Sequence, residues 1–409
     1  MDTLNQEQQH MIAKLNSFLS SEDMDTILQG MLLLDALDDA QLYAHYLHGI
    51  AVDDSGKMVI AEHCTLRSII QEPYLETIAL HILAKSGRID DVTTLDLSGF
   101  KTLKNIDGIQ YLTNITSLDL SKCYEIENVD GIQYLTLLTS LNLSSCTKIT
   151  NIDALQYLTN ITSLNLKGCY KLTNLYGLKN SPQLTSLNLA FCGKLTHCET
   201  FANIDGLKHN TNITSLDLSG SAKITNTDGL QTLTNITTLR LYSCTELTNI
   251  DALQNLTELT SLDLSSCHKL TNFYALQNLT SITSLNLSYC TELTNIDGLR
   301  HCSQLYNLRL TGCSRIPNID VLFKISSLHH VELYSLPLIA NDDIVKLRKK
   351  THDSRLNITT ADELNTIRNS KNNIKRSSLL ESPMLNPLLR IFVYVVLFCI
   401  AIWADSCMI

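Results

Sequence analysis

Leu-x-Leu pairs recur through the middle of the chain, with first members Leu95, Leu118, Leu141, Leu164, Leu187, Leu216, Leu239, Leu262, Leu285 and Leu308, and Val331 continuing the series. The step is 23 residues throughout, except for 29 between Leu187 and Leu216. Within a unit, Leu118 and Leu120 alternate with Asp119 and Ser121, the period of a strand with one buried face. A tight turn follows. Cys123 stands five residues after Leu118, and Cys146, Cys169, Cys192, Cys244, Cys267, Cys290 and Cys313 hold the same place in their units. The return segment reads Asn-Ile-Asp-Gly-Leu or a close variant. It sets Asp107, Asp130, Asp153, Asp205, Asp228, Asp251, Asp297 and Asp320 where they would cap a short helical turn, and Tyr176 and Tyr274 replace that Asp in two units. So short a connection predicts a 3₁₀ turn rather than an α-helix on the convex side. One unit cannot bury its own leucines, so the units must stack into a curved parallel sheet, an α/β solenoid. Eleven strands at about 4.8 Å make a concave sheet roughly 50 Å along its arc.

A full unit such as ITSLNLKGCYKLTNLYGLKNSPQ, from Ile161, resembles the leucine-rich repeat family pattern L-x-x-L-x-L-x-x-(Asn or Cys)-x-x-L. The resemblance covers residues 92 to 336. Its Cys is that of the cysteine-containing class and its length is nearer the bacterial internalin-like class, so the subtype is mixed. The resemblance implies protein recognition and no enzymatic activity.

The two ends do not repeat. Residues 1–90 read as a helical cap domain, with helices from Asn5 to Leu19, Ser21 to Leu37, Asp39 to His48, and Glu72 to Lys85 ending at Gly87. A small hairpin is expected around the turn Asp54-Ser55-Gly56. The start, MDTLNQEQQH, lacks the basic and apolar regions of an export signal. The repeats occupy 91–336. A helical C-terminal cap is expected over 337–370, with helices from Asn341 to Lys350 and Thr360 to Asn369. A polar linker over 371–386 and a transmembrane helix over 387–404 complete the division. In that last segment Ile391 to Ala404 is uncharged, and Tyr394 and Trp403 bracket it. Lys371, Lys375 and Arg376 precede it and only Asp405 follows, which orients a tail anchor with the repeats in the cytosol.

Charge and cysteine usage narrow the function classes. The net charge of −10 argues against a nucleic-acid binder. It resides mainly in residues 1–90, which hold 5 basic and 14 acidic residues, a balance of −9. Eight of the 13 cysteines form the ladder, where a thiol acts as a small hydrophobe, and free thiols in such number fit a reducing compartment. No C-x-x-C or H-E-x-x-H occurs, so no metal or other cofactor is expected. Asn-x-Thr and Asn-x-Ser triplets, including those at Asn114, Asn160, Asn212 and Asn235, recur because the repeat does. The long unit holds six extra residues at about His197 to Ala202, read as a surface loop despite its His197-Cys198-Glu199 run.

The concave strand positions are monotonous: Ser or Thr, then Asp or Asn, then usually Ser. Departures from that pattern are the candidate contacts, because the solenoid does not need them. They are Lys167, Arg240, Tyr242, Arg309, Glu332 and Tyr334, with Phe191 and Tyr289 just beyond the strands. Arg240, Tyr242 and Arg309 are expected to form one patch. The reading they support is a non-enzymatic, membrane-tethered scaffold that binds a cytosolic protein through its concave face. Near-identical repeats and a tail anchor also suit a bacterial effector acting on host membranes. The alternative is a ubiquitin-ligase component: a substrate receptor, or a ligase using Cys64, the one cysteine before the repeats. A purely adhesive surface protein would need export and oxidised cysteines.

Overall fold

The computed structural model describes residues 4–192, 207, 209–350 and 357–359. Eleven three-residue strands, from β3 (Thr94–Asp96) to β13 (His330–Glu332), pair in parallel in the order of the sequence. The register is leucine on leucine: Leu118 pairs with Leu141, Leu141 with Leu164 and Leu164 with Leu187. It carries across the long unit, where Leu187 pairs with Leu216. Each unit sends the same apolar set inward. In the second unit Ile115, Leu118, Leu120, Cys123, Ile126, Val129, Ile132 and Leu135 are all buried. A parallel sheet with one face packed on its own return segments makes a single continuous seam of this kind.

Three polar columns hold the rungs together. Each ladder thiol donates to the carbonyl of the second leucine of the unit before, as in Cys123 to Leu97 (3.1 Å), Cys169 to Leu143 (3.2 Å) and Cys313 to Leu287 (3.0 Å). No disulfide joins any of the ten described cysteines. Threonine hydroxyls donate to the threonine carbonyl one rung back, from Thr116 onto Thr93 through to Thr283 onto Thr260. The side-chain amides of Asn114, Asn160, Asn212 and Asn235 donate to carbonyls of the preceding unit. These asparagines recur because they tie rungs together.

The convex turns are 3₁₀, as expected, but their capping residue is not the aspartate. In every described turn that begins with Asp, that Asp is the first residue of the 3₁₀ segment. The asparagine two positions earlier accepts its N–H: Asn151 that of Asp153 (3.3 Å), Asn226 that of Asp228 (3.0 Å), Asn295 that of Asp297 (2.6 Å). Asn174 and Asn272 do the same for Tyr176 and Tyr274 (3.0 and 2.9 Å), which explains why tyrosine is tolerated there. Asp205 lies outside the described residues. After each strand, one residue of the turn is left-handed; it is Gly168 (φ 75°) in one unit but Ser145, Phe191 and Tyr289 (φ 64°, 58° and 60°) in others.

The N-terminal segment closes the exposed end of this stack. Helix α1 (Gln6–Leu19) begins at a capping box between Asn5 and Gln8. Helix α2 spans Met24–Leu37, three residues shorter at its start than expected, because the Asp23 side chain takes the cap by accepting the Thr26 N–H. Helix α3 (Ala40–Tyr46) and α4 (Glu72–Lys85) follow, with the hairpin β1 (Ile50–Val52) and β2 (Met58–Ile60) between them. Helix α4 stands where a preceding unit's convex turn would be. Its Glu76 and Thr77 side chains accept the N–H groups of Thr102 and Lys104 (2.8 and 3.2 Å), and any side chain at Gly108 would meet His81. The hairpin turn covers the edge of β3, where Asp96 donates its N–H to the Gly56 carbonyl (2.7 Å). First-rung leucines and backbone donors are thereby both covered.

At the other end, α5 (Asn341–Lys350) forms where expected. The second cap helix, the linker and the apolar 387–404 run lie outside the described residues. Among the described residues no helix is long and apolar enough to cross a membrane.

Candidate interaction surface

Three side chains per unit face the concave side, and the middle one has a structural task. In eight units it is Asp or Asn, and its side-chain oxygen accepts the backbone N–H two residues on: Asp96 that of Ser98, Asp119 of Ser121, Asn142 of Ser144, Asn165 of Lys167, Asn188 of Ala190, Asp217 of Ser219, Asp263 of Ser265 and Asn286 of Ser288, at 2.7 to 3.1 Å. That N–H has no partner in the sheet ladder, so the side chain supplies one. In the remaining three units the middle residue is Arg240, Arg309 or Glu332, none of which makes this bond. Among the described residues the N–H groups of Tyr242, Thr311 and Tyr334 consequently find no protein acceptor. These three units belong to β9 (Thr238–Arg240), β12 (Asn307–Arg309) and β13.

The sequence-picked residues form a line rather than one patch. Arg240 and Tyr242 share a unit; Arg240 is exposed, with its guanidinium 3.8 Å from Asp217 on β8 (Ser215–Asp217), and Tyr242 is 43% exposed. Arg309 lies three rungs further, about 14 Å away at strand spacing, with Asp263 and Asn286 between. It pairs with Glu332 (3.1 Å), and Tyr334 stands two residues beyond that glutamate. The exposed Lys167 follows β6 (Ser163–Asn165), three rungs before Arg240, with its ammonium 5.8 Å from the Phe191 ring centre.

One cluster escaped the sequence reading. Tyr306 stacks on His329 (4.4 Å between ring centres, 16° between planes) and meets His330 edge-on at 5.3 Å. Tyr306 and His329 occupy the threonine column, and His330 takes the Ser position beside it. The signal was the break of Thr-Ser-Leu into Tyr-Asn-Leu and His-His-Val in the last two units.

The described cysteines are all buried. Burial pushes the Cys123, Cys267 and Cys313 thiols up to about 12 and Cys302 to about 11, so all four are protonated and non-nucleophilic at neutral pH. Cys64 is 3% exposed, and its sulfur accepts the Arg67 N–H (3.4 Å). Among the described residues no group of three His, Cys, Asp or Glu side chains is placed to hold a metal ion.

Residues 89–196 match the BspA-type leucine-rich repeat region, and residues 204–278 match the Zer-1-like leucine-rich repeats. Residues 89–196 and 204–278 are thus similar to leucine-rich repeats, in keeping with the stacked parallel strands. Among solved structures it resembles an internalin from Listeria monocytogenes, with 24% identity over 66% of this chain and 80% of that one and a TM-score of 0.53. A second similar structure is a functional domain of a Listeria monocytogenes internalin that includes a cysteine ladder (23% identity, 62% and 60% coverage, TM-score 0.41). Among curated proteins there is no match. A leucine-rich repeat solenoid exposes its concave sheet, the surface on which the three exceptional units lie.

Proposed function

We propose that this leucine-rich repeat protein is a non-enzymatic scaffold that binds a protein partner through the C-terminal half of its concave sheet, with the 387–404 segment as its membrane tether and the repeats in the cytosol. One observation carries the reading. Eight units use the middle concave residue to cap their own backbone, whereas β9, β12 and β13 give that place to Arg240, Arg309 and Glu332. A stable repeat gains nothing from leaving those N–H groups without a partner, but an interface does, and arginine and tyrosine are the residues that anchor interfaces. The tether rests on the apolar run and its flanking charges.

The test reverts the exceptions to the repeat's own residues. A full chain carrying Arg240→Asn, Tyr242→Ser and Arg309→Asn uses only residues that other units already carry at these places. Chemical cross-linking in cells, compared with the unaltered chain, is expected to lose at least one cross-linked protein tenfold while circular dichroism is unchanged. If every cross-linked partner persists, the concave reading fails. Flotation of the chain with liposomes, and its loss on truncation after Pro383, tests the tether separately.

A further inference from the structure

The margin of the concave sheet carries aromatic residues with a period of its own. Phe191, Tyr242, Tyr289 and Tyr334 follow β7 (Ser186–Asn188), β9, β11 (Ser284–Asn286) and β13, every second rung. All four sit at one of two adjacent residues, the last concave position or the left-handed residue after it. Two strand spacings are about 9.6 Å, and the four rings span six spacings, about 29 Å. Tyr242 and Tyr289 are 43% and 52% exposed. Two of the rings are held in place by their neighbours. A side chain at Gly220 would run into the Phe191 ring, and one at Gly312 would come within 2.7 Å of the Tyr289 ring, so each lies close against the backbone of the next rung. Phe191 and Tyr289 also keep left-handed backbones (φ 58° and 60°) that bulky residues disfavour, at a position where other units place Gly, Ser or Lys.

A polyproline II helix advances about 3.1 Å per residue with three residues per turn, or about 9.3 Å between residues on one face. That matches two rungs, so about ten residues of such a segment would set one residue on each ring. Its proline backbone offers acceptors and no donors. The margin offers the reverse: the uncapped N–H groups of Tyr242, Thr311 and Tyr334, and the Arg240 and Arg309 guanidinium groups. The two margin columns hold Lys122 and Lys167 and no carboxylate. In the column beside them Asp217 and Asp263 accept the Ser219 and Ser265 N–H groups, and Arg240 and Arg309 stand beside Asp217 and Glu332, so the charges there nearly balance.

Resting on the concave-face reading above, we propose that the Phe191–Tyr242–Tyr289–Tyr334 row receives an extended, proline-rich protein segment held in the polyproline II conformation. Aromatic-lined grooves accept such segments because the ligand is already ordered before it binds.

The test uses the full chain and three dye-labelled probes followed by fluorescence anisotropy: a twelve-residue Pro-Pro-Glu repeat, a Gly-Gly-Glu repeat of the same length and charge, and a β-linked glucose hexamer. The Pro-Pro-Glu peptide is expected to bind at least tenfold more tightly than the Gly-Gly-Glu peptide. Tyr242→Ser with Tyr289→Ser, residues other units carry there, should weaken it tenfold or more, and the convex Tyr134→Ser should leave it unchanged. Equal affinity for the two peptides, indifference to the tyrosine pair, or no peptide binding up to millimolar concentration overturns the proposal. The cross-linking result with the Arg240, Tyr242 and Arg309 reversion then decides independently whether the concave-face reading survives. Tyrosine-dependent binding of the glucose hexamer without the peptides overturns both.

Discussion

The solenoid has two halves that share a spine and differ in the face they present. From β3 to β7 every middle concave residue is Asp or Asn and every one caps its own backbone. From β9 to β13 three of five do not. Beneath that difference the spines are alike, with four thiols on each side, Cys123 to Cys192 and Cys244 to Cys313. The rung between them, β8, is the odd one. Ser221 stands in the thiol column and Thr227 where other units bury Ile, Val, Leu or Phe, and both hydroxyls are buried without a partner. The Ser181 hydroxyl and the Asn210 side-chain oxygen, also buried and unpartnered, adjoin the same long unit. A hydroxyl on its shorter carbon–oxygen bond does not reach the carbonyl that a thiol reaches. Uniform packing thus tolerates a varied face, and the polar fault falls where the insertion interrupts the period.

The largest effect should fall on both halves equally. An exposed thiol ionises near 9, whereas Cys123, Cys267 and Cys313 are held at about 12 by burial. Below about pH 9 both folded and unfolded chains keep these protons and the stability is fully present. Above it the unfolded chain releases them and the folded chain does not, so each thiol removes about 1.4 kcal/mol per pH unit until its folded value is reached. Urea midpoints measured from pH 8 to 11 should fall steeply, and Cys267→Ala should flatten the slope by close to one proton. Thiols of one half reacting with an alkylating reagent at pH 8 well before the other half's would break the symmetry of the spine.

The next effect sharpens the comparison at its boundary. Ser221→Cys with Thr227→Val should raise stability by about 1–3 kcal/mol, since each replaces a buried, unsatisfied hydroxyl. An unchanged urea midpoint would show that these hydroxyls are satisfied by water. The smallest effect exchanges the two faces. Arg240→Asn should stabilise by about 0.5–1.5 kcal/mol by restoring the cap on the Tyr242 N–H without adding a charge beside Asp217 and Asp263, and Asn165→Arg should destabilise by a similar amount. If both substitutions are neutral in thermal unfolding, the caps are not what distinguishes the halves.

Much of this was legible in the chain because burial enforces period. Leu118 and Leu120 must alternate with polar neighbours, and Asn5 and Asp39 announce helix starts, so the strands and α1, α3 and α4 could be placed to within a few residues, whereas α2 starts after Asp23 rather than at Ser21. What was not legible depended on which polar atom reaches which donor. Asn151 and Asp153 are both plausible caps by residue type; only the tight 3₁₀ geometry gives the bond to Asn151. The same holds for Asp119, which reads as solvent-facing polarity yet is occupied by the Ser121 N–H. Arg240 and Arg309 looked like one patch because the sheet's three-rung separation is hidden in a 69-residue gap. The Tyr306, His329 and His330 cluster depends on ring contacts across two rungs, which residue type alone does not give.

The leucine-on-leucine register has a consequence for length. Every rung meets the next through the same contacts, so a 23-residue copy inserted between β4 (Ser117–Asp119) and β5 (Ser140–Asn142) would present each neighbour with the surface it already meets. The molecule behaves as a ruler graduated in whole units, whose reach is set by copy number rather than by any single residue. At β8, at the capped first unit and between β12 and β13, adding or removing a mark would change what its neighbours touch.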